Sequence, residues 1–413
     1  MKIVIFEPHH GGHRSVYVAH LVRGLRELPV KTVLVTSRGA KETDGFQTNL
    51  EPLRDSFEVD DSFEELAGDP MDMAKQAARG LPAAIGRHQA DHAYLPYGDG
   101  VGQVLGIRRG WPGGKRLNSP TETVLHHSQQ AYPKRGLKRK ATVAAHRWAW
   151  ARSPFARIHH VDRLEYEWWQ EHGLASARAS FLPDPVDAPP AQSPSDAAAS
   201  LGLDPARRYV GTTGMIDARK GCDKLLEAFV AADLDTDVSL LLVGRHSPGI
   251  KAMLAGRFAN DVASGRICSI NRFVTMDELH AALFAMQLVV TAHPRHIGIS
   301  SIVIRAAACG RPVLGSSFGW IEQMVNRFGM GQTCNVSDPM VFAAALRESL
   351  ALSAEWEMGP SLQRFVEFHR ADHFERTLVA MLRERLGLPR DAALRDWDWV
   401  QQTQDPPIGA AGG

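Results

Sequence analysis

The stretch Arg208-Tyr-Val-Gly-Thr-Thr-Gly-Met-Ile-Asp-Ala-Arg-Lys-Gly221 decides how the rest of the chain is read. RYVGTT is a short run bounded by glycine, the pattern of a buried strand, and Asp223 to Ala231 beyond it has the spacing of a helix. The same alternation continues forward through VSLLLVG (238–244), a helical segment to Ala263, RICSINRFV (266–274), a helix near Asp277 to Met286, QLVVTAHP (287–294), a helix through Ile302 to Cys309, and PVLGSS (312–317). Strands alternating with helices predict a parallel sheet covered on both faces, in a doubly wound α/β unit. Met340 to Leu386 then reads as helices.

Working backward, LPDPVDAPPAQSPSDAAAS (182–200) is rich in Pro, Ser and Ala. It reads as a semi-rigid connection that excludes an interior strand or helix. Ahead of it the alternation appears again. Met1 to Phe6 reads as a strand, Ser15 to Leu28 as a helix with Val18, Leu21, Val22 and Leu25 on one face, and KTVLVT (31–36) as the next strand. DHAYLPYG (91–98), TETVLHHS (121–128) and ARIHHV (156–161) supply further strands, with helices over Gly136 to Trp150 and around Glu165 to Gln170. The expected division is therefore a first Rossmann-like domain over residues 1–187, a second over 188–385, and a tail over 386–413 that could return to the first.

A chain of 413 residues exceeds what one hydrophobic core usually supports, in keeping with two domains. Lys plus Arg number 47 against 46 for Asp plus Glu, so the net charge of +1 gives no global attraction to nucleic acid or to an anionic membrane. The four cysteines are scattered singly, without the pairing of a zinc site or a disulfide framework, which fits a reduced, cytoplasmic setting. The opening MKIVIFEPHH has an apolar run too short for a signal peptide or a spanning helix.

In open parallel sheets, ligands bind beyond the carboxyl ends of the strands, so each loop after a strand is a candidate. Glu7-Pro8-His9-His10-Gly11-Gly12-His13-Arg14 places two glycines where a backbone could approach a ligand closely, although a full GxGxxG is missing and a plain tight turn fits nearly as well. Gly214 to Gly221 carries Arg219 and Lys220, two cations suited to a diphosphate and equally common as a solvated pair. In His293 to Ser301, either Ser300 or Ser301 can cap the following helix, whose free N–H groups would seat a phosphate, with Arg305 one turn on. His126 follows TETVL and has the near-neutral pKa needed to polarise or deprotonate a sugar hydroxyl.

GTTGMIDARKGCDKLLEAF, VSLLLVG, MDELHAALFAMQLVV, GISSIVIRAAACGRPVLGSSFGWIEQMV and DPMVFAAALRESL together resemble, in order and spacing, the large family of retaining GT-B glycosyltransferases. The resemblance covers Tyr209 to Leu350 well, and extends more weakly into the first half through the GGH loop, LHHS and LPDPVD. It implies a GT-B architecture, two Rossmann-like doubly wound domains facing across a cleft that holds a nucleotide-diphosphate-sugar. It implies that Lys220 holds the diphosphate, with Arg219 standing in for an arginine whose position falls on Met215. Gly11 and Gly12 become the first loop, His126 the active-site histidine, Arg272, Phe273 and Val274 the loop against the base, and Gly298 to Ser301 the phosphate-seating helix start. His13 and Asp99 fall on the acceptor side. In the mechanism so implied, the leaving diphosphate takes the acceptor's proton, and neither a metal nor a cofactor is required.

One departure stands out. The family's Glu-x7-Glu pair should fall near His296 or Ile297 and on Arg305, and neither carboxylate is present. A guanidinium only donates hydrogen bonds, so Arg305 cannot grip ribose hydroxyls as a carboxylate does; it suits an extra phosphate or a carboxylate on the donor. The expected function is transfer of a sugar from a nucleotide-diphosphate donor to a hydroxyl on a glycan, lipid-linked or small-molecule acceptor in glycan biosynthesis. The alternative is a catalytically silent GT-B protein that binds a glycan or partners an active transferase, and a weaker third is a nucleotide-sugar hydrolase or epimerase. Two Asp-x-Asp strings, Asp235-Thr-Asp237 and Asp396-Trp-Asp398, lie at the wrong end of a strand and in the tail, so neither is expected to bind metal. Within 134–152, Lys134, Arg135, Lys138, Arg139, Lys140, Arg147 and Arg152 interleave with Trp148 and Trp150. That pattern suits peripheral contact with an anionic inner membrane face, against the plainer alternative of a solvated helix with its tryptophans packed inward.

Overall fold

The runs of buried β-formers become strands in the computed structural model, which describes residues 1–9, 14–109, 117–127, 130–132, 137–187 and 189–402. The strands are β1 (Lys2–Phe6), β2 (Lys31–Ser37), β3 (Glu58–Phe63), β4 (His92–Leu95), β5 (Thr121–Leu125), β6 (Arg157–His160) and β7 (Ala179–Phe181) in the first half. In the second they are β8 (Arg208–Thr213), β9 (Val238–Val243), β10 (Ile267–Ile270), β11 (Met286–Thr291), β12 (Val313–Ser316) and β13 (Gly331–Cys334). All pairings are parallel, in the orders β3-β2-β1-β4-β5-β6-β7 and β10-β9-β8-β11-β12-β13. This is two doubly wound α/β units, the GT-B architecture.

Each unit has its own core. In the first, Val4, Phe6, Val33 and Ile158 pack with Leu81, Ile85, Trp150 and Trp169 from the helices. In the second, Val210, Leu240, Leu242, Leu288 and Val290 meet Leu225, Phe229, Phe342 and Leu346. VSLLLV is buried at all six positions, as a central parallel strand must be.

Three features depart from the expectations. Pro194–Ser200, inside the stretch read as a connection, is a helix: Ser193 caps it, Pro194 sits in its first turn where a missing N–H costs nothing, and Ala197 and Ala198 are buried. β3 reads EVDDSF, a polar and partly exposed edge strand without the apolar signal of the others, and β13 is as inconspicuous. The units are Met1–Asp184 with Ala371–Leu394, and Pro185–Arg370 with Arg395–Gly413. The chain thus joins the first unit again at Ala371, earlier than the expected tail at 386, and leaves it at Arg395. Glu375 explains the earlier return, since its carboxylate meets His20 Nδ1 at 2.8 Å while Phe374 and Leu378 are buried.

Candidate functional site

In the second unit, every carboxyl strand end lies on one sheet edge, and the winding reverses between β8 and β11. The loops after these two strands lead off to opposite faces, which opens a crevice at that point. Gly221 joins the two loops: at φ +70° it takes a conformation disfavoured for side-chain-bearing residues, and a Cβ there would lie 2.0 Å from the Ala292 carbonyl oxygen. Asp217 fixes the turn by accepting the Lys220 N–H at 2.9 Å. The Lys220 ammonium bends back over the end of β8, near Gly214 and 3.5 Å from the Thr213 carbonyl. Burial lowers the pKa of Lys220.

Arg219 is largely exposed and only loosely paired with Asp217, at 3.7 Å. From the loop after β11, His293 is buried, and its pKa is pushed down to about 3 by burial and then by the charges of His296, Lys220 and Arg219. A neutral imidazole thus lies among cations, where a bound anion would offset an otherwise unmatched charge. His296 Nε2 donates to the Ile299 carbonyl at 2.6 Å, and Gly298 holds φ +94°. Ser300 is the N-cap of helix Ser301–Ala308 without a side-chain bond to its first turn. The helix start, which follows β11, therefore keeps backbone donors that its N-cap side chain does not satisfy. Replacing Gly221 by alanine should lower the melting temperature and weaken nucleotide binding together, checked by calorimetry on one preparation; an unchanged protein would show that the two loops need not touch.

The loop after β10 divides the roles expected of it. Arg272 is held bidentately by Glu278 at 2.6 and 2.9 Å, and Glu278 also completes the capping box of helix Met276–Ala285. Its charge is therefore matched. Phe273 is 72% exposed, with the Arg245 guanidinium 5.8 Å from its ring centre, so it offers an aromatic face to a base. Val274 is half-buried beside it. Arg305 Nη1 lies 3.3 Å from Met276 Sδ, and no carboxylate pairs with it among the described residues. Asp235 and Asp237 are both engaged by Arg208, at 2.8 and 2.7 Å, and Asp396 caps a helix through Trp399 N–H.

In the first unit the order reverses between β1 and β4. Gly11, Gly12 and His13 lie outside the described residues. The flanks of their loop are described. Glu7 is buried, accepts from Arg14 Nη1 at 2.8 Å and from His9 N–H at 3.1 Å, and has its pKa raised by burial against the pull of Arg14. The Arg14 guanidinium stacks over Tyr97 at 4.3 Å, and Tyr97 stacks on His126 at 3.9 Å and 13°. Asp99 accepts the backbone N–H groups of His126 and His127, so it positions the loop after β5.

His126 Nε2 faces the Pro96 carbonyl at 2.9 Å, so that nitrogen carries the proton and Nδ1 is left as the acceptor. Burial pushes the His126 pKa down to about 4, with the Asp99 charge opposing it. The ring should stay neutral down to about pH 4, and its protonation disfavours the fold as pH falls below its ordinary 6.5 toward that value. An NMR titration of the ring checks this; a midpoint near 6.5 would contradict it.

The structure thus places Arg219 and Lys220 after β8, Phe273 after β10, and Gly298, Ser300 and Ser301 after β11, all at the carboxyl end of the second sheet. Sequence reasoning missed His293 and Arg245 as contributors, and Glu7, Arg14 and Tyr97 around His126. A strand-end position was the available signal for Tyr97, Arg245 and His293. Of the basic segment, residues 134–136 lie outside the described residues. In helix Leu137–Arg152, Trp150 is buried and Trp148 is exposed beneath the Arg152 guanidinium at 4.3 Å. No described helix is long and apolar enough to cross a membrane.

Two doubly wound units with open switch points define a protein of GT-B fold. Residues 207–351, all in the second unit, match the family model described as glycosyl transferases group 1. Solved structures agree in fold across nearly the whole chain. Sucrose-phosphate synthase from Thermosynechococcus elongatus is 17% identical with a TM-score of 0.68, covering 94% of this chain and 99% of its own. A glycosyltransferase from Rickettsia africae is 13% identical with a TM-score of 0.67, covering 93% and 98%. Anabaena HepE, in complex with UDP and glucose, is 14% identical with a TM-score of 0.64, covering 93% and 100%. Comparison with curated proteins gives no match.

Proposed function

We propose that the chain transfers a sugar from a nucleoside-diphosphate donor to an acceptor hydroxyl. The observation that carries the proposal is the second unit's switch point, where two cations, the Lys220 ammonium and the largely exposed Arg219, follow β8 with Asp217 as their one nearby carboxylate among the described residues, and the start of helix Ser301–Ala308 follows the neighbouring β11. A diphosphate supplies the negative charge that one shared carboxylate leaves unmatched, and these donors stabilise it as the bond to the sugar breaks. Phe273 stacks on the base, with Arg245 behind its ring. A diphosphate oxygen takes the acceptor's proton, so the reaction calls for no metal and no cofactor from the protein.

On the first unit, His126 orients a hydroxyl through Nδ1. Held neutral, it accepts a hydrogen bond without being protonated at ordinary pH. Arg305, unmatched by any carboxylate among the described residues, selects a donor that carries a further anionic group. The UDP found in HepE, a protein of the same fold, is in keeping with this reading.

The test is incubation of the purified chain with a panel of nucleotide sugars and candidate acceptors, measuring release of nucleoside diphosphate with and without acceptor. Acceptor-dependent release supports transfer. Release of free sugar without acceptor would indicate a hydrolase, and tight binding without turnover would indicate a silent binding protein.

A further inference from the structure

The first unit holds a cavity of about 580 Å³ on the sheet face covered by the returning segment Ala371–Leu394, away from the loops at the carboxyl strand ends. Arg157, His159 and Ser180 line it from β6 and β7, and Thr377 to Leu394 close it. Its size falls in the range of small-molecule sites.

The strands supply a fixed polar floor. Glu122 on β5 is fully buried and accepts from His92 Nε2 at 2.9 Å and His159 Nε2 at 2.8 Å. Arg385 Nη1 meets His92 Nδ1 at 2.7 Å, and a guanidinium only donates, so His92 is neutral and gives its Nε2 proton to Glu122. With Glu122 ionised and holding the His159 Nε2 proton, His159 Nδ1 is left to accept from Ser180 Oγ at 2.8 Å. The Ser180 hydroxyl proton is thereby committed inward, and its oxygen lone pairs remain as acceptors at the cavity wall.

The other side is cationic. Arg157 and Arg390 make no side-chain hydrogen bond or ion pair among the described residues, and Arg383 Nε is buried without a partner. Of the two carboxylates lining the cavity, Asp391 is paired with Arg376 at 3.3 Å and also feels the Arg383 charge, and Arg383 Nη2 donates weakly to the Pro389 carbonyl at 3.4 Å, which leaves Glu384. Met381, Leu388, Pro389 and Leu394 add an apolar wall. Three guanidiniums with one uncommitted carboxylate between them suit a dianion, and the apolar wall beside hydroxyl acceptors suits the ring of a monosaccharide.

We propose that this cavity is a second small-molecule site, which takes a dianionic metabolite of monosaccharide-phosphate size, its phosphate on Arg157, Arg383 and Arg390 and a ring hydroxyl donating to Ser180. Because the walls come from β6 and β7 on one side and the returning segment on the other, the ligand ties that segment to the sheet and stabilises the unit.

Calorimetry and thermal unfolding of the full chain with glucose 6-phosphate, glucose 1-phosphate, glucose and inorganic phosphate test the proposal. The sugar phosphates should bind and raise the melting temperature, more tightly than inorganic phosphate and without an equivalent effect of glucose. Arg157→Gln should weaken them by about ten- to a hundredfold. Arg390→Gln, at the exposed rim, provides the same reading if Arg157→Gln does not fold. Lys220→Ala should leave this binding unchanged, because it belongs to the other unit. Absence of sugar-phosphate binding at millimolar concentration, equal binding of glucose or of inorganic phosphate, or a loss that follows Lys220 and spares Arg157 would each overturn the proposal.

Discussion

Replacing Lys220 by alanine should weaken binding of nucleoside diphosphates by about a hundredfold, the effect of losing one charge-assisted contact in a partly desolvated site. The fold should survive, because among the described residues the ammonium's one hydrogen bond is a long 3.5 Å contact to the Thr213 carbonyl, while the turn is held by the backbone N–H on Asp217. Lys220→Arg should recover part of the affinity, since charge is kept but the compact geometry over Gly214 is not. Calorimetry against UDP, GDP and ADP checks both variants. Unchanged affinity in Lys220→Ala, with the protein still folded, would remove the role assigned to this residue.

The second large effect concerns stability. Glu122 is fully buried, and burial alone would raise its pKa; the hydrogen bonds it accepts from His159 and His92 outweigh that and lower it to about 2. Glu122→Ala leaves two buried imidazoles without their acceptor and should cost about 3–5 kcal/mol, lowering the melting temperature by about 10 °C. Glu122→Gln should cost much less. Its oxygen can accept from His92 while its amide donates to His159, which then carries its proton on Nδ1 toward Ser180. His92 has no such freedom, because Arg385 fixes its tautomer.

The pH dependence has a definite sign. A carboxyl whose folded pKa is about 2 against an ordinary 4.5 contributes stability above pH 4.5. That contribution, about 3 kcal/mol, is lost as pH falls from 4.5 toward 2. Acid unfolding of Glu122→Gln should lack this part of the dependence, and chemical denaturation at several pH values measures it. Parallel acid curves for the two proteins would contradict the assignment.

The alternation of apolar runs with helical spacing made both sheets legible, because buried parallel strands such as VSLLLV carry their burial in composition. β3 carried no such signal, since an edge strand with charged residues is indistinguishable from a loop. Pro194–Ser200 was obscured by proline, which stops a helix in its interior and yet begins one at the first turn. At the site, Lys220 and Ser300 were legible from their place after strands. Arg272 was legible as a residue of the loop after β10, but its match with Glu278 depends on a side-chain geometry that spacing does not give. The Glu122 network was the least legible: His92, Glu122, His159 and Ser180 lie on four different strands, and only sheet order makes them neighbours.

The most direct measurement is a crystal structure of the chain with a bound nucleoside diphosphate. Phosphate oxygens should lie within about 3 Å of Lys220 Nζ and of the N–H groups opening helix Ser301–Ala308, with the base against Phe273. A diphosphate bound elsewhere, with the Lys220 ammonium still folded over Gly214 and the Ser300 turn empty, would contradict it.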